Sequence, residues 1–255
     1  MGFGLGNVFY VNNQQSVPPQ DANTKLLLHF DDTSRQQWVK DYSGQGLYYG
    51  TTDSHTMSCV SAFITTTYSK FGSSCYDATR SGTQYWSTPS HRDFVFGTNS
   101  FTIEGFFMVL ANGSTRQQSI ITRAIDDNRR LNFLLYSGYM YIQSYDSGDA
   151  SVRIDISTPL NAWSNGVWKH LAWVRNYTNG SSSDWAFYED GVPKTLTLGA
   201  GSWGNPLYNS GTDLRIGTDG RTGYSPGTPG FMVDELRISN SARYTGTFTP
   251  PTAPF

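Results

Sequence analysis

Two carboxyl groups about 5–5.5 Å apart can cleave a glycosidic bond with retention, one as nucleophile and one as acid. On a strand this asks for acidic residues two or four positions apart, because alternate residues share a face. The chain has only three glutamates, Glu104, Glu189 and Glu235. Phe106 and Met108 stand two and four positions beyond Glu104, and Glu189 adjoins a turn. Asp234 and Glu235 are adjacent, so a regular strand would point them to opposite faces. No E-x-D-x-x-E pattern occurs, and all three glutamates are expected as solvated or edge carboxylates. No G-x-S-x-G nucleophile elbow is expected, since the string Gly223-Tyr224-Ser225-Pro226-Gly227 stands in a Gly/Pro-rich stretch with no helix after it, and H-E-x-x-H is absent. The four histidines, His29, His55, His91 and His170, are scattered singly, and His170 reads as a core or semi-buried residue between Trp168 and Ala172. No catalytic residue is expected, and the chain reads as non-enzymatic.

Binding chemistry has more material. Asp31, Asp32 and Asp41 cluster after the first apolar run, and Asp234 lies in the last. Hard oxygen ligands of this kind suit Ca²⁺. Aspartates also cap turns by accepting backbone N–H groups, which is the competing reading. A glycan site needs exposed aromatic rings beside polar groups. Tyr139, Tyr141, Trp203, Tyr208 and Tyr224 stand in Gly/Ser/Asn-rich segments and are the candidates. The alternative for each is a ring packed down to anchor a loop. Cys59 and Cys75 are read as buried free thiols, with a disulfide between neighbouring strands left open. Two cysteines cannot by themselves form a closed zinc site.

The elements that must carry these residues are short strands. The chain has 255 residues, a net charge of -2, 15% aromatic and 15% charged residues. That balance suits one large all-β domain, or two small ones, and argues against a nucleic-acid binder, which needs a basic stripe. No apolar run approaches a membrane span, and Met1 to Gly6 lack the features of a signal peptide. Residues 1–23, with Pro18, Pro19 and the polar run Asn12 to Gln15, read as an N-terminal arm. From Thr24 onward, strands are expected at Leu26–Phe30, Phe101–Leu110, Leu131–Leu135, Tyr139–Tyr145, Val167–Arg175, Trp185–Glu189, Val192–Leu198, Leu214–Gly217 and Met232–Ile238. Ser137-Gly138 and Asp190-Gly191 mark hairpins. Ser34–Lys40 could form a helical turn or two. Strands this regular without helical crossovers predict an all-β, two-sheet antiparallel sandwich.

The order of segments carries a resemblance. LLLHFDD is followed by KFGSSCYDATRSGTQYW, FGTNSFTIEGFF, VWKHLAWVR, FYEDGV, LRIG and MVDELRISNSARYTGTFTPPTAPF. This resembles the laminin-G-like, concanavalin A-like domains of tailed-phage virion proteins, from Thr24 to Phe255. Asp77-Ala78-Thr79-Arg80 replaces the Asp-Gly that members often carry, leaving Ser81-Gly82 to make that turn. The resemblance implies a concanavalin A-like jelly-roll sandwich over residues 24–255, closed by a Pro-rich C-terminal clasp through Tyr244, Phe248 and Phe255. It implies a capsid decoration protein or a head- or tail-fibre subunit on the virion surface, assembled in the host cytoplasm. The implied partners are other virion proteins and copies of the chain, with a trimer expected, and no nucleic acid or membrane. No cofactor is required. Some relatives carry structural calcium, which makes Asp31 and Asp234 the candidates for it. The alternative function is a carbohydrate-binding attachment module for host or environmental glycans.

Overall fold

The computed structural model describes residues 21–31, 39–44, 55–79, 84–109, 117–146, 151–161, 164, 166–218 and 230–255. Most of the expected arm, Asp32, most of Ser34–Lys40, the Ser81-Gly82 turn and Tyr224 lie outside them. Among the described residues the strands are β1 Thr24–Leu28, β2 Ser58–Val60, β3 Phe63–Thr65, β4 Cys75–Asp77, β5 Tyr85–Thr88, β6 Phe101–Val109, β7 Gln118–Asp126, β8 Arg129–Tyr136, β9 Tyr139–Asp146, β10 Ser151–Pro159, β11 Trp168–Arg175, β12 Trp185–Glu189, β13 Val192–Pro193, β14 Thr197–Gly201, β15 Leu214–Ile216 and β16 Phe231–Ser239. Among the described residues the helical content is two 3-10 turns, Arg92–Phe94 and Ser182–Asp184.

The strands form two antiparallel sheets. The first runs β13-β12-β11-β6-β16-β4-β3, with β1 also paired to β16; the second runs β14-β10-β9-β8-β7-β15-β5-β2. The expected jelly-roll sandwich is therefore present. The core between the sheets is aromatic. Phe101 and Phe133 meet edge to face at 5.7 Å, and Trp173 meets Phe107 at 6.1 Å and Phe133 at 6.3 Å. Such pairs add about 0.5–1.5 kcal/mol each beyond burial of their area.

Local sequence explains most elements. Along β9, Met140 and Ile142 point into the core while Tyr139, Tyr141 and Gln143 do not, as strand alternation requires. Both expected hairpins turn through positive φ, at Ser137 (50°) with Gly138 (79°) and at Asp190 (50°) with Gly191 (78°). That is the backbone twist a two-residue hairpin needs. The run Val192–Leu198, expected as one strand, divides instead: β13 stays in the first sheet and β14 crosses to the second. Strands β3, β5, β7 and β10 lie outside the strands expected from sequence.

The C-terminal segment lies on the outer face of the first sheet. Tyr244 stacks on Phe248 at 3.5 Å, and Phe248 meets Tyr188 and His170 edge to face. Phe255 lies under the Arg237 guanidinium at 3.8 Å. This cover explains why β6 and β11 are buried on both faces, unlike β9.

Candidate functional site

The outer face of the second sheet presents an aromatic and polar surface. Tyr136 and Tyr139 are register partners across the β8–β9 hairpin and are 42% and 39% exposed. Tyr141 lies 6.3 Å from Tyr136 and 6.0 Å from Tyr139, ring to ring. Beyond them on the same face, Gln143 donates to Asp155 at 3.2 Å, and Tyr145 sits under the Arg130 guanidinium at 4.0 Å. Burial pushes the Asp155 carboxyl and the Tyr141 hydroxyl above their ordinary ranges. Rings beside amide and carboxylate groups can hold the apolar face and the hydroxyls of a sugar together. Tyr136 and Gln143 join the foreseen pair Tyr139 and Tyr141, and their alternation along β8 and β9 could have signalled them.

Of the other foreseen aromatics, Trp203 and Tyr208 do not converge there. The backbone of Tyr208 donates to Ser144 Oγ at 2.7 Å. Ser144 is five residues from Tyr139 along β9, about 17 Å at the usual strand rise. The Trp203 ring packs against the core while its carbonyl accepts from Trp185 Nε1 at 3.0 Å and Arg175 at 3.2 Å. Trp203 thus anchors a loop.

Asp31 and Asp234 do meet, at the loop of residues 69–73. Asp31 Oδ1 accepts from Ser73 N at 2.8 Å, and Asp234 Oδ2 accepts from Lys70 N at 2.7 Å and Phe71 N at 3.1 Å. Burial, with the charges of Glu235 and Asp31 adding to it, pushes the Asp234 carboxyl up to about 7 against those two N–H bonds. One buried oxygen, Asp234 Oδ1, lacks a partner. A calcium ion takes six to eight oxygens; here one oxygen of each carboxylate accepts backbone N–H groups of the loop, as a turn-capping aspartate does. Asp41 stands apart, accepting from Leu27 N, Ser43 N and Oγ, and His55 N.

The glutamates correct the sequence reading, for all three are buried. Glu104 accepts from Arg237 at 2.7 and 2.9 Å, Tyr244 Oη at 2.6 Å and His170 Nε2 at 3.2 Å. Burial alone would raise its pKa, but the His170 bond, the Arg237 charge and the remaining partners bring it below the ordinary range. Glu189 pairs with Lys169 and Lys194. Glu235 accepts from His29 Nδ1 at 2.8 Å and Phe255 N at 2.9 Å. Asp234 and Glu235 are not on opposite faces. A bulge between Asp234 and Arg237, with Glu235 at φ 54°, leaves Val233 and Leu236 in the core and both acids outside it. Gly105 on β6 lies against this bulge: a Cβ there would sit in ordinary contact, 3.4 Å, with the Asp234 and Glu235 carbonyls.

Cys59 and Cys75 are free thiols in different sheets, Cys59 half-buried rather than buried.

The profile of the Concanavalin A-like lectin/glucanases superfamily matches residues 80–245, more than half of the chain, and the chain belongs to that superfamily. No curated protein sequence matches it. Solved structures share its fold. The botulinum neurotoxin serotype G binding domain superposes with a TM-score of 0.60 at 14% identity, covering 88% of this chain and 49% of that one. Domain 4 of AbnA, a GH43 extracellular arabinanase from Geobacillus stearothermophilus in complex with arabinotriose, gives 0.57 at 16% identity, covering 88% and 95%. Trypanosoma rangeli sialidase gives 0.53 at 11% identity, covering 89% and 32%. The chain thus spans about half of the neurotoxin domain and about a third of the sialidase chain. The expectation of a non-enzymatic chain is corrected by these matches: the fold occurs within a sialidase and an arabinanase, so it does not set binding apart from catalysis.

Proposed function

We propose that this lectin-type domain binds glycans on the outer face of its second sheet, with Tyr136, Tyr139 and Tyr141 stacking on sugar rings and Gln143 and Asp155 meeting hydroxyls. The observation that carries the proposal is the three-tyrosine cluster, two of its rings more than a third exposed beside a hydrogen-bonded amide–carboxylate pair. The arabinotriose complex of the arabinanase domain supports it by analogy of fold. A glycan array with the purified chain tests it, followed by Tyr139→Ala and Tyr141→Ala on any sugar retained. Binding that disappears in both variants supports the assignment. Failure to retain any sugar removes it.

The virion setting, with residues 1–23 docking on a particle or a neighbouring copy, is supported by the order of the sequence motifs. Cosedimentation with particles lacking the protein, using chains with and without residues 1–23, tests it. Binding by the full chain alone supports a particle-borne module, and binding by neither form removes that setting. A trimer in solution would support the proposed oligomer.

A further inference from the structure

His55, His91 and Asp93 come together beside the 3-10 turn Arg92–Phe94, far from the tyrosine face in sequence. One ligand atom from each lies within 4.8 Å of the other two. His55 Nε2 is 3.3 Å and His91 Nδ1 is 3.2 Å from the same oxygen, Asp93 Oδ2. Metal–ligand bonds of 2.0–2.2 Å at tetrahedral angles put neighbouring ligand atoms about 3.3 Å apart. Both contacts therefore have the spacing of atoms sharing one ion.

The state of His55 points the same way. Its side chain is only 9% exposed, yet Nε2 is buried without a hydrogen-bond partner. A buried polar atom left unpaired costs free energy unless something meets it. The 3.3 Å approach to Asp93 thus lacks hydrogen-bond geometry, whereas an ion between the two atoms would satisfy both. The long bond from Asp93 N to His91 Nδ1, 3.3 Å, is a weak competitor for that nitrogen.

The frame around the cluster is held in place. The His55 backbone donates to buried Asp41, which also fastens β1 through Leu27 N. The His55 ring packs on Phe94 at 4.6 Å and His91 at 4.8 Å. The Phe94 carbonyl is gripped by the buried Arg123 guanidinium at 2.7 Å, which also reaches Ser90 Oγ at 2.9 Å. The His91 ring, 44% exposed, is the least enclosed member, so bringing the three atoms together on an ion falls to it.

We infer that His55 Nε2, His91 Nδ1 and Asp93 Oδ2 form a binding site for a borderline divalent ion of the zinc class, open to solvent at its remaining position. Two imidazoles and a carboxylate favour such an ion over calcium, which prefers oxygen alone. The ion would clip the segment before β2 to the β5–β6 connection. His29 and His170 are not part of it, since each is paired with a buried glutamate elsewhere.

The test is zinc titration of tag-free, chelator-treated full chain by calorimetry and thermal melting, with calcium in parallel. We expect one zinc per chain, a raised melting temperature and no equivalent effect of calcium. His91→Ala, at an exposed position, and Asp93→Asn should each weaken zinc by about tenfold or more, while His29→Gln should leave zinc affinity unchanged. No zinc binding by the folded parent chain overturns the inference. So does zinc binding that His91→Ala and Asp93→Asn leave intact, which would place the ion elsewhere. If one variant fails to fold, the other and the parent titration still decide.

Discussion

The backbone N–H of Phe248 donates to the carbonyl of Gly191 at 3.0 Å, and the Phe248 carbonyl lies 1.9 Å from where a Cβ on Gly191 would sit. The C-terminal segment therefore docks on the β12–β13 turn only because that turn ends in glycine. Gly191→Ala is expected to lose about 1–2 kcal/mol from the backbone at φ 78°, and more from displacing Phe248. Urea melting reads the loss, and limited proteolysis should cut the variant first within residues 244–255.

Glu104 ties three strands and the C-terminal segment together, since its partners stand on β11, β16 and at Tyr244. Glu104→Gln leaves the Arg237 charge without its partner and should cost about 3–5 kcal/mol. Tyr244→Phe keeps the stack on Phe248 and removes one bond to a charged acceptor, so about 1.5–3 kcal/mol is expected. Because the Glu104 pKa is lowered on folding, its contribution is present near neutral pH and fades as pH falls below the ordinary glutamate range. The cost of Glu104→Gln should shrink in acid accordingly.

Asp234 works in the opposite sense. Its carboxyl titrates near 3.8 in the unfolded chain and at about 7 in the folded one. Between those values the folded chain holds the extra proton, so stability falls as pH rises from about 4 to about 7. The loss is roughly 1.4 kcal/mol per unit of difference, a few kcal/mol in all. Asp234→Asn removes the titrating group and keeps an acceptor for Lys70 N and Phe71 N. Denaturant melts at pH 5 and pH 8 should show the variant gaining on the parent at the higher pH.

On the tyrosine face, Tyr139→Ala or Tyr141→Ala should weaken a bound glycan by about tenfold, close to 1.4 kcal/mol. Tyr139 is exposed, and a surface position of this kind moves stability by about 0.5 kcal/mol or less, whereas half-buried Tyr141 also loses packing. Calorimetric titration beside a melting curve separates loss of the ligand contact from loss of fold.

Local interactions made much of this protein legible from sequence. Apolar alternation gave β9 and β11, and Asp190-Gly191 and Ser137-Gly138 gave their hairpins, because a strand face and a two-residue turn depend on neighbours along the chain. Tyr139 and Tyr141 were visible for the same reason. Tertiary structure decided the rest. Glu104 and Glu235 look solvated in sequence, yet they are buried because Arg237, His170, His29 and the C-terminal segment arrive from distant positions. The Glu235 bulge, which turns two adjacent acids outward from the core together, forms in the pairing of β16 with β6, a strand distant in sequence. His55 and His91 read as isolated residues because 36 positions separate them. Only the pinning of His55 by Asp41 and of the 3-10 turn by Arg123 brings their rings together over Asp93.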